Sequence, residues 1–285
     1  MTRAMPFADQ PFTPVIEVAG DPACGWLLLC DHARAALPAE HGDLGLPPVA
    51  FERHISHDIG AEALTRALAR RLGAPAVMAG FSRLLIDPNR GEDDPTIVMR
   101  LSDGQVVPGN HPLPADVLAR RIARFHRPYH EAIDAAIGHA MAAGVRPIIF
   151  SVHSFTPAWK GVPRPWHATM LYDRDDRLAR CVIDALTGDP AFARAVERQG
   201  AARTFALNEP YDGALRGDTI HRHCTLRGLA SGLIEVRQDL LAAEDGPDFW
   251  AQRLAPILDA ANADPTLHEE HYPGSRTDRP SRRAA

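Results

Sequence analysis

Two histidines and a carboxylate stand where apolar runs end or pass. His32 follows GWLLLC (Gly25–Cys30) through Asp31, His153 follows PIIFSV (Pro147–Val152), and Glu235 sits within LIEV (Leu233–Val236). If those runs are buried strands of an open α/β sheet, their carboxyl ends face one crevice, where such sheets place ligands. Neutral imidazoles and a carboxylate converging there could hold a divalent ion with one position open, the arrangement of a hydrolytic metal site. A fourth run, RLLID (Arg83–Asp87), leads into Pro88-Asn89-Arg90. Each residue also has a plainer use. A histidine after a strand often just hydrogen-bonds its loop, and Glu235, costly to bury unpaired, has Arg237 two residues on along the same strand face as a possible partner.

Other chemical groups are weaker candidates. His54 and Asp58 are one helical turn apart and can face one point, whether as ligands or as a solvated pair. His126 and His130 share a face but flank the apolar stripe of a long helix, which reads as structural. His268-Glu269-Glu270-His271 spaces its histidines three apart and so is not the HExxH of a zinc protease. Ser154 lacks a GxSxG elbow, and Cys30 reads as a buried thiol. Lys160 is the only lysine, so there is no GKS/GKT phosphate loop; the positive charge is otherwise arginine, which suits two-point capture of a carboxylate.

These groups need elements to position them. The three apolar runs, together with Ala76–Ala79, Arg83–Asp87 and Ala168–Tyr172, read as strands. Phe51–Leu72, Pro114–Ala143, Arg177–Leu186, Pro190–Gln199 and about Asp248–Ala261 read as helices, with Gly73 and Gly144 as stops. The alternation implies a single α/β domain over residues 1–272, followed by a Pro/Arg/Ser-rich tail (Pro273–Ala285) expected to be disordered. Pro88–Pro112 is a longer connection than a turn needs.

Composition narrows the setting. The 285 residues carry a formal net charge of −5, which gives no sign of a nucleic-acid or anionic-membrane partner. No apolar run approaches the roughly 20 residues of a membrane span. The N-terminus is broken by Asp9, Pro11 and Pro14 and lacks a signal-peptide core, so a cytoplasmic location is expected. The four cysteines form no CxxC pair, so neither a disulfide framework nor a cysteine-rich zinc site is expected.

Seven segments, in order, resemble the N-formylglutamate amidohydrolase family: CDHARAALP (Cys30–Pro38), FERHISHDIGAEAL (Phe51–Leu64), FSRLLIDPNR (Phe81–Arg90), VPGN (Val107–Asn110), SVHSFTP (Ser151–Pro157), NEPYDG (Asn208–Gly213) and IEVRQDLL (Ile234–Leu241). The resemblance implies a three-layer α/β/α fold with a mixed central sheet, similar to that of zinc carboxypeptidases and aspartoacylase-type deacylases. It implies zinc, or another divalent ion such as cobalt or manganese, held by His32, Asp58 and His153. Asp58 replaces the glutamate that the carboxypeptidase pattern puts three residues after the first histidine, where this chain has Ala35; His54 is the alternative. The resemblance also implies Glu235 as general base, Arg83 as the group polarising the scissile carbonyl, and Asn89 and Arg90 as the grip on the substrate's α-carboxylate. The reaction implied is hydrolysis of N-formyl-L-glutamate, or a similar N-acyl amino acid, to formate and L-glutamate. Two departures leave specificity open: His57 stands where the family more often has an aromatic residue, and Gly91–Leu101 is acidic for a neighbour of a dianionic substrate.

Overall fold

Apolar runs without polar alternation belong to strands covered on both faces, and three of them form the middle of the sheet. The computed structural model describes residues 12–190, 192 and 204–278. Strands β2 (Trp26–Cys30), β4 (Ile148–Phe155) and β7 (Ser231–Arg237) are buried along their length, apart from Arg237. With β1 (Val15–Val18), β3 (Ala76–Ala79), β5 (Ala168–Leu171) and β6 (Phe205–Leu207) they make a seven-stranded sheet in the order β1-β3-β2-β4-β7-β5-β6. β3, β2, β4 and β7 run parallel, β1 is antiparallel at one edge, and the parallel pair β5–β6 joins β7 antiparallel. The sheet is therefore mixed.

Helices cover both faces. Leu64 and Leu68 of α1 (Ala61–Leu72), Leu178 and Val182 of α4 (Arg177–Gly188), and Leu254 and Leu258 of the C-terminal helix (Gly246–Asn262) pack over Leu28, Phe150 and Ile234. On the opposite face, Tyr129, Ile133 and Ile137 of α3 (Arg127–Ala142) pack over Leu27, Leu29, Ile149 and Leu233. α2 (Ala115–Arg121) runs into α3 through a π turn at Ile122–His126. Alternation along each strand thus separates two cores and leaves the polar ends of the parallel strands as the site. Among the described residues no helix is long and apolar enough to cross a membrane.

Three sequence expectations change. The helix expected from Phe51 begins at Ala61; Pro48–Glu52 is a 3-10 turn, and His54 and Asp58 lie in the irregular connection between them. Gly60 stops the helix extending backwards, because its φ of +81° is left-handed and a Cβ there would stand 2.4 Å from Leu241 Cβ. Arg83–Asp87 is buried but is no strand: the carbonyls of Leu84 and Leu85 are taken by Asn110 Nδ2 and Arg121 Nη1, both at 2.8 Å, instead of by a neighbouring strand. The tail is not free at its start. Ser275 is buried, and Arg276 bonds Asp173 Oδ1 through its backbone N–H at 2.9 Å; residues 279–285 lie outside the described residues, as does nearly all of the expected helix Pro190–Gln199.

Gly60 and Gly73 provide a matched test of that turn. Both have positive φ, but a Cβ on Gly73 meets nothing within 4 Å. Gly73→Ala is expected to cost only left-handed strain, about 1 kcal/mol, whereas Gly60→Ala adds the clash and costs about 2–4 kcal/mol. The difference should appear as a larger Tm loss for Gly60→Ala, at roughly 2–4 °C per kcal/mol. Equal losses would show that the approach of Leu241 does not constrain the turn.

Candidate metal centre and active site

The end of β2 delivers Asp31 and His32, and β4 carries His153 within its last turn of pleat, so His153 lies inside the strand and not after it. On the parallel neighbour β7, Glu235 is the register partner of His153, which sends both side chains to the same side of the sheet. Asp58 is brought to the same point by its backbone N–H, which donates to His32 O at 2.9 Å.

His32, Asp58 and His153 are buried, and one ligand atom from each lies within 4.8 Å of the others. Asp58 Oδ2 sits 3.4 Å from His32 Nδ1 and 2.9 Å from His153 Nδ1. Both far nitrogens are engaged by buried carboxylates: His32 Nε2 lies 2.7 Å from Asp87 Oδ1, and His153 Nε2 lies 2.9 Å from Asp31 Oδ2. A carboxylate that accepts a hydrogen bond from Nε2–H leaves Nδ1 as the lone-pair donor, the usual outer partnership of a metal-bound histidine. Two buried atoms here have no hydrogen-bond partner, His32 Nδ1 and Asp58 Oδ1, so the donor set fits a divalent ion. His54 stands outside the group, 3.4 Å from Asp58 Oδ1. Burial lowers its pKa to about 4, chiefly by desolvation.

The charges around this point are strongly coupled. Burial opposes ionisation of Asp58, but His32 and His153 hold its pKa well below the ordinary carboxylate value. Burial likewise opposes charge on His153, yet Asp31 and Asp58 hold its pKa well above the imidazole value. Glu235 differs. Desolvation pushes its pKa up to about 7, with Asp58 adding to the rise and His153, His32 and Arg83 opposing it. Its Oε2 is buried without a partner. Arg237, the alternative partner, turns away to Asp239 at 2.8 Å.

Arg83 borders the same space. Its Nη2 donates to Asp87 Oδ2 at 2.9 Å, its Nη1 lies 3.7 Å from Asp58 Oδ1, and its Nε has no partner. Asn89 spends Oδ1 on the Thr219 N–H at 3.1 Å, so its amide hydrogens are what it can offer a ligand. Arg90 Nη1 bonds Asn89 O at 2.7 Å, and among the described residues Arg90 forms no ion pair. The acidic stretch that follows has partners of its own: Glu92 pairs with Arg127 at 2.8 Å, and Asp94 Oδ1 accepts from the Thr96 N–H. His57 bonds Ser56 Oγ at 3.0 Å and does not join the ligand group.

Sequence reading missed several residues of the site. Asp31 also accepts from Tyr129 OH at 2.9 Å, Thr219 Oγ1 at 2.6 Å and Ser151 Oγ at 3.3 Å. Asp31 and Asp87 each close an apolar run, a buried-carboxylate signal that could have drawn attention to them. Arg164 is a second guanidinium without an ion pair among the described residues. It is 8% exposed, its Cζ sits 5.2–5.8 Å from the ring centres of Tyr211, Trp159 and Phe155, and its Nη1 donates to Tyr211 OH at 3.2 Å. Tyr211 feels the charges of Glu235 and Asp58, which puts this pair at the rim of the same site. The NEPYDG turn places Tyr211: Asn208 Oδ1 accepts from the backbone N–H groups of Tyr172 and Gly213. A Cβ on Gly213 would stand 2.3 Å from Tyr172 N.

The family model for N-formylglutamate amidohydrolase matches residues 24–242. A solved gene product from Agrobacterium tumefaciens is similar at 29% identity and a TM-score of 0.75, over 87% of this chain and 96% of that one. A solved N-formylglutamate amidohydrolase from Ralstonia eutropha JMP134 has the same fold at 20% identity and a TM-score of 0.56, over 87% and 97%. No curated protein matches the chain.

The outer carboxylates provide the test of the centre. Asp31→Asn and Asp87→Asn should each weaken zinc binding about 10–100-fold while leaving the fold intact. Competition with a chromophoric chelator measures this; unchanged affinity would mean that Nδ1 ligation is the wrong geometry.

Proposed function

The chain belongs to the N-formylglutamate amidohydrolase family, and from that premise we propose that it hydrolyses N-formyl-L-glutamate to formate and L-glutamate. The observation that carries the reading is Glu235: a buried carboxylate with a free oxygen, pKa raised to about 7, beside a His–Asp–His ligand set. A structural carboxylate would be paired; one held near neutrality beside a metal position is matched to general base work.

His32, Asp58 and His153 would hold zinc or a similar ion, which when bound acidifies a water and polarises a carbonyl. Glu235 takes a proton from the attacking water and returns it to the leaving amine nitrogen. Arg83, with Nη2 anchored on Asp87, directs its remaining N–H groups at the negative charge developing on the carbonyl oxygen. Asn89 and Arg90 grip the α-carboxylate, which fixes the amide against the base. Arg164, stacked on aromatic rings and without a carboxylate partner, takes the side-chain carboxylate. Two guanidinium groups without ion pairs among the described residues favour an acidic N-acyl amino acid over a neutral one.

Glu235→Gln should reduce turnover by at least about 10³-fold with metal content unchanged; loss of the metal would make Glu235 a ligand. The same variant should stabilise the metal-free protein at pH 8. A carboxyl whose folded pKa is raised costs nothing below about 4.5, and its cost grows until pH passes 7. Its removal is therefore worth up to about 3 kcal/mol at pH 8 and nothing at pH 4.

Substrate choice has its own assay, the release of formate, acetate and free amino acid from a panel of N-acyl amino acids. Arg90→Ala should raise KM for every substrate about 10–100-fold. Arg164→Met should do so only for N-acyl glutamate and aspartate. A preference for neutral amino acids in the unaltered protein would refute the dianionic substrate.

A further inference from the structure

A row of three buried imidazoles lies outside the metal group and ends on the turn that presents Asn89 and Arg90. His126, His130 and His223 are each no more than 1% exposed. His130 Nε2 lies 3.0 Å from Pro88 O, and His126 Nε2 lies 2.9 Å from Arg90 O. His130 Nδ1 lies 2.8 Å from His223 Nε2, and His223 Nδ1 lies 2.9 Å from Asp134 Oδ1.

Proton counting fixes the order of this row. Carbonyl oxygens only accept, so the nitrogens facing Pro88 O and Arg90 O must both carry hydrogen. His130 is then bare at Nδ1, and His223 must donate to it through Nε2. Desolvation lowers the pKa of all three imidazoles, in keeping with neutral His126 and His130 carrying Nε2–H; at His223 the Asp134 carboxylate opposes that lowering, and bonding it takes a second hydrogen on Nδ1. The two carbonyls flank Asn89 on either side in the chain. Both imidazoles come from one helix, and His126 closes its π turn, an insertion that persists where a side chain must be aimed.

We propose that His126 and His130 are positioning residues for substrate binding: their Nε2–H groups clamp the Pro88 and Arg90 carbonyls and so hold Asn89 and Arg90 in carboxylate-gripping geometry. His223 locks the tautomer of His130. The inference rests on the reading of Asn89 and Arg90 as the α-carboxylate grip. None of the three imidazoles contacts a residue of the ligand set, so their loss acts through the turn and not through the ion.

The test compares side chains that keep or lose the donor. Gln places an amide N–H near the Nε2 position, Asn places it near Nδ1, and Phe keeps only the ring. With the full metal-loaded chain and N-formyl-L-glutamate, His126→Phe and His130→Phe should raise KM about tenfold or more, with kcat changed by less than about threefold. Metal content should be unchanged, and backbone amide exchange over residues 84–94 should accelerate. His126→Gln and His130→Gln should return KM to within about threefold, while His130→Asn should not. The Gln–Asn contrast carries the test if a Phe variant fails to fold. The proposal falls if Gln is as damaging as Phe, if exchange does not change, or if kcat falls with KM unmoved. Arg90→Ala, measured alongside, separates the two levels. If it leaves KM unchanged, the carboxylate grip itself is wrong; if it raises KM and the Phe variants do not, only the clamp is wrong.

Discussion

Four carboxylates converge in a space with almost no water, and the rest of the site is arranged around that charge. Asp31, Asp58, Asp87 and Glu235 are each at most 7% exposed, and among the described residues the guanidinium of Arg83 is the only permanent cation in direct contact with any of them. Desolvating a carboxylate costs several kcal/mol unless it is paired. Three of the four are compensated by the two imidazoles: Asp31 and Asp58 share His153, and Asp87 holds His32. His153 faces a carboxylate at each nitrogen and must be doubly protonated to donate to both. A divalent ion held by His32, Asp58 and His153 would supply positive charge that this double protonation otherwise provides. Glu235, the carboxylate left without this compensation, is the one that can exchange a proton near neutral pH.

The sheet meets this constraint by register. β2 and β4 are parallel neighbours, and β7 adjoins β4, so Asp31, His153 and Glu235 arrive from three adjacent strands with side chains on the α3 face. That face also supplies the uncharged donors. Tyr129 comes from α3 and Thr219 from the short helix Thr219–His223, and both hydroxyls bond Asp31. Asp31 thereby gains stabilisation without another charge, so the centre keeps its negative charge.

The inner strands and most helices were legible in the sequence because their signals are local, unbroken apolar runs for β2, β4 and β7 and a 3.6-residue stripe for α3; the edge strands β1 and β6 were not read from it. His32, His153 and Glu235 were legible as polar groups at or inside such runs. Asp58 was named from family pattern, and the helix used to place it proved to start at Ala61; the left-handed turn at Gly60 depends on Leu241, about 180 residues away in the chain. Arg164 was missed for a similar reason. Its meaning comes from Phe155, Trp159 and Tyr211, which gather around it only in the fold. Asp31 and Asp87 gave a local signal, but their work is to orient another residue's far nitrogen, and spacing does not encode that.

The segment 81–90 shows why an apolar run can fail as a strand and still be buried. It carries Arg83, Asp87, Asn89 and Arg90, and the strict alternation of a strand would turn Arg90 to the opposite side from the other three. An irregular course frees the side chains but strands the backbone carbonyls away from water, where each needs a donor. Side chains supply those donors: Asn110 to Leu84 O, Arg121 to Leu85 O and Arg90 to Asn89 O. Asn110 has a further bond to Met99 O, and its own Oδ1 accepts from Arg121 at 2.7 Å. The asparagine of the VPGN segment is therefore a scaffold for the 81–90 loop, a structural use that accounts for its place in the motif.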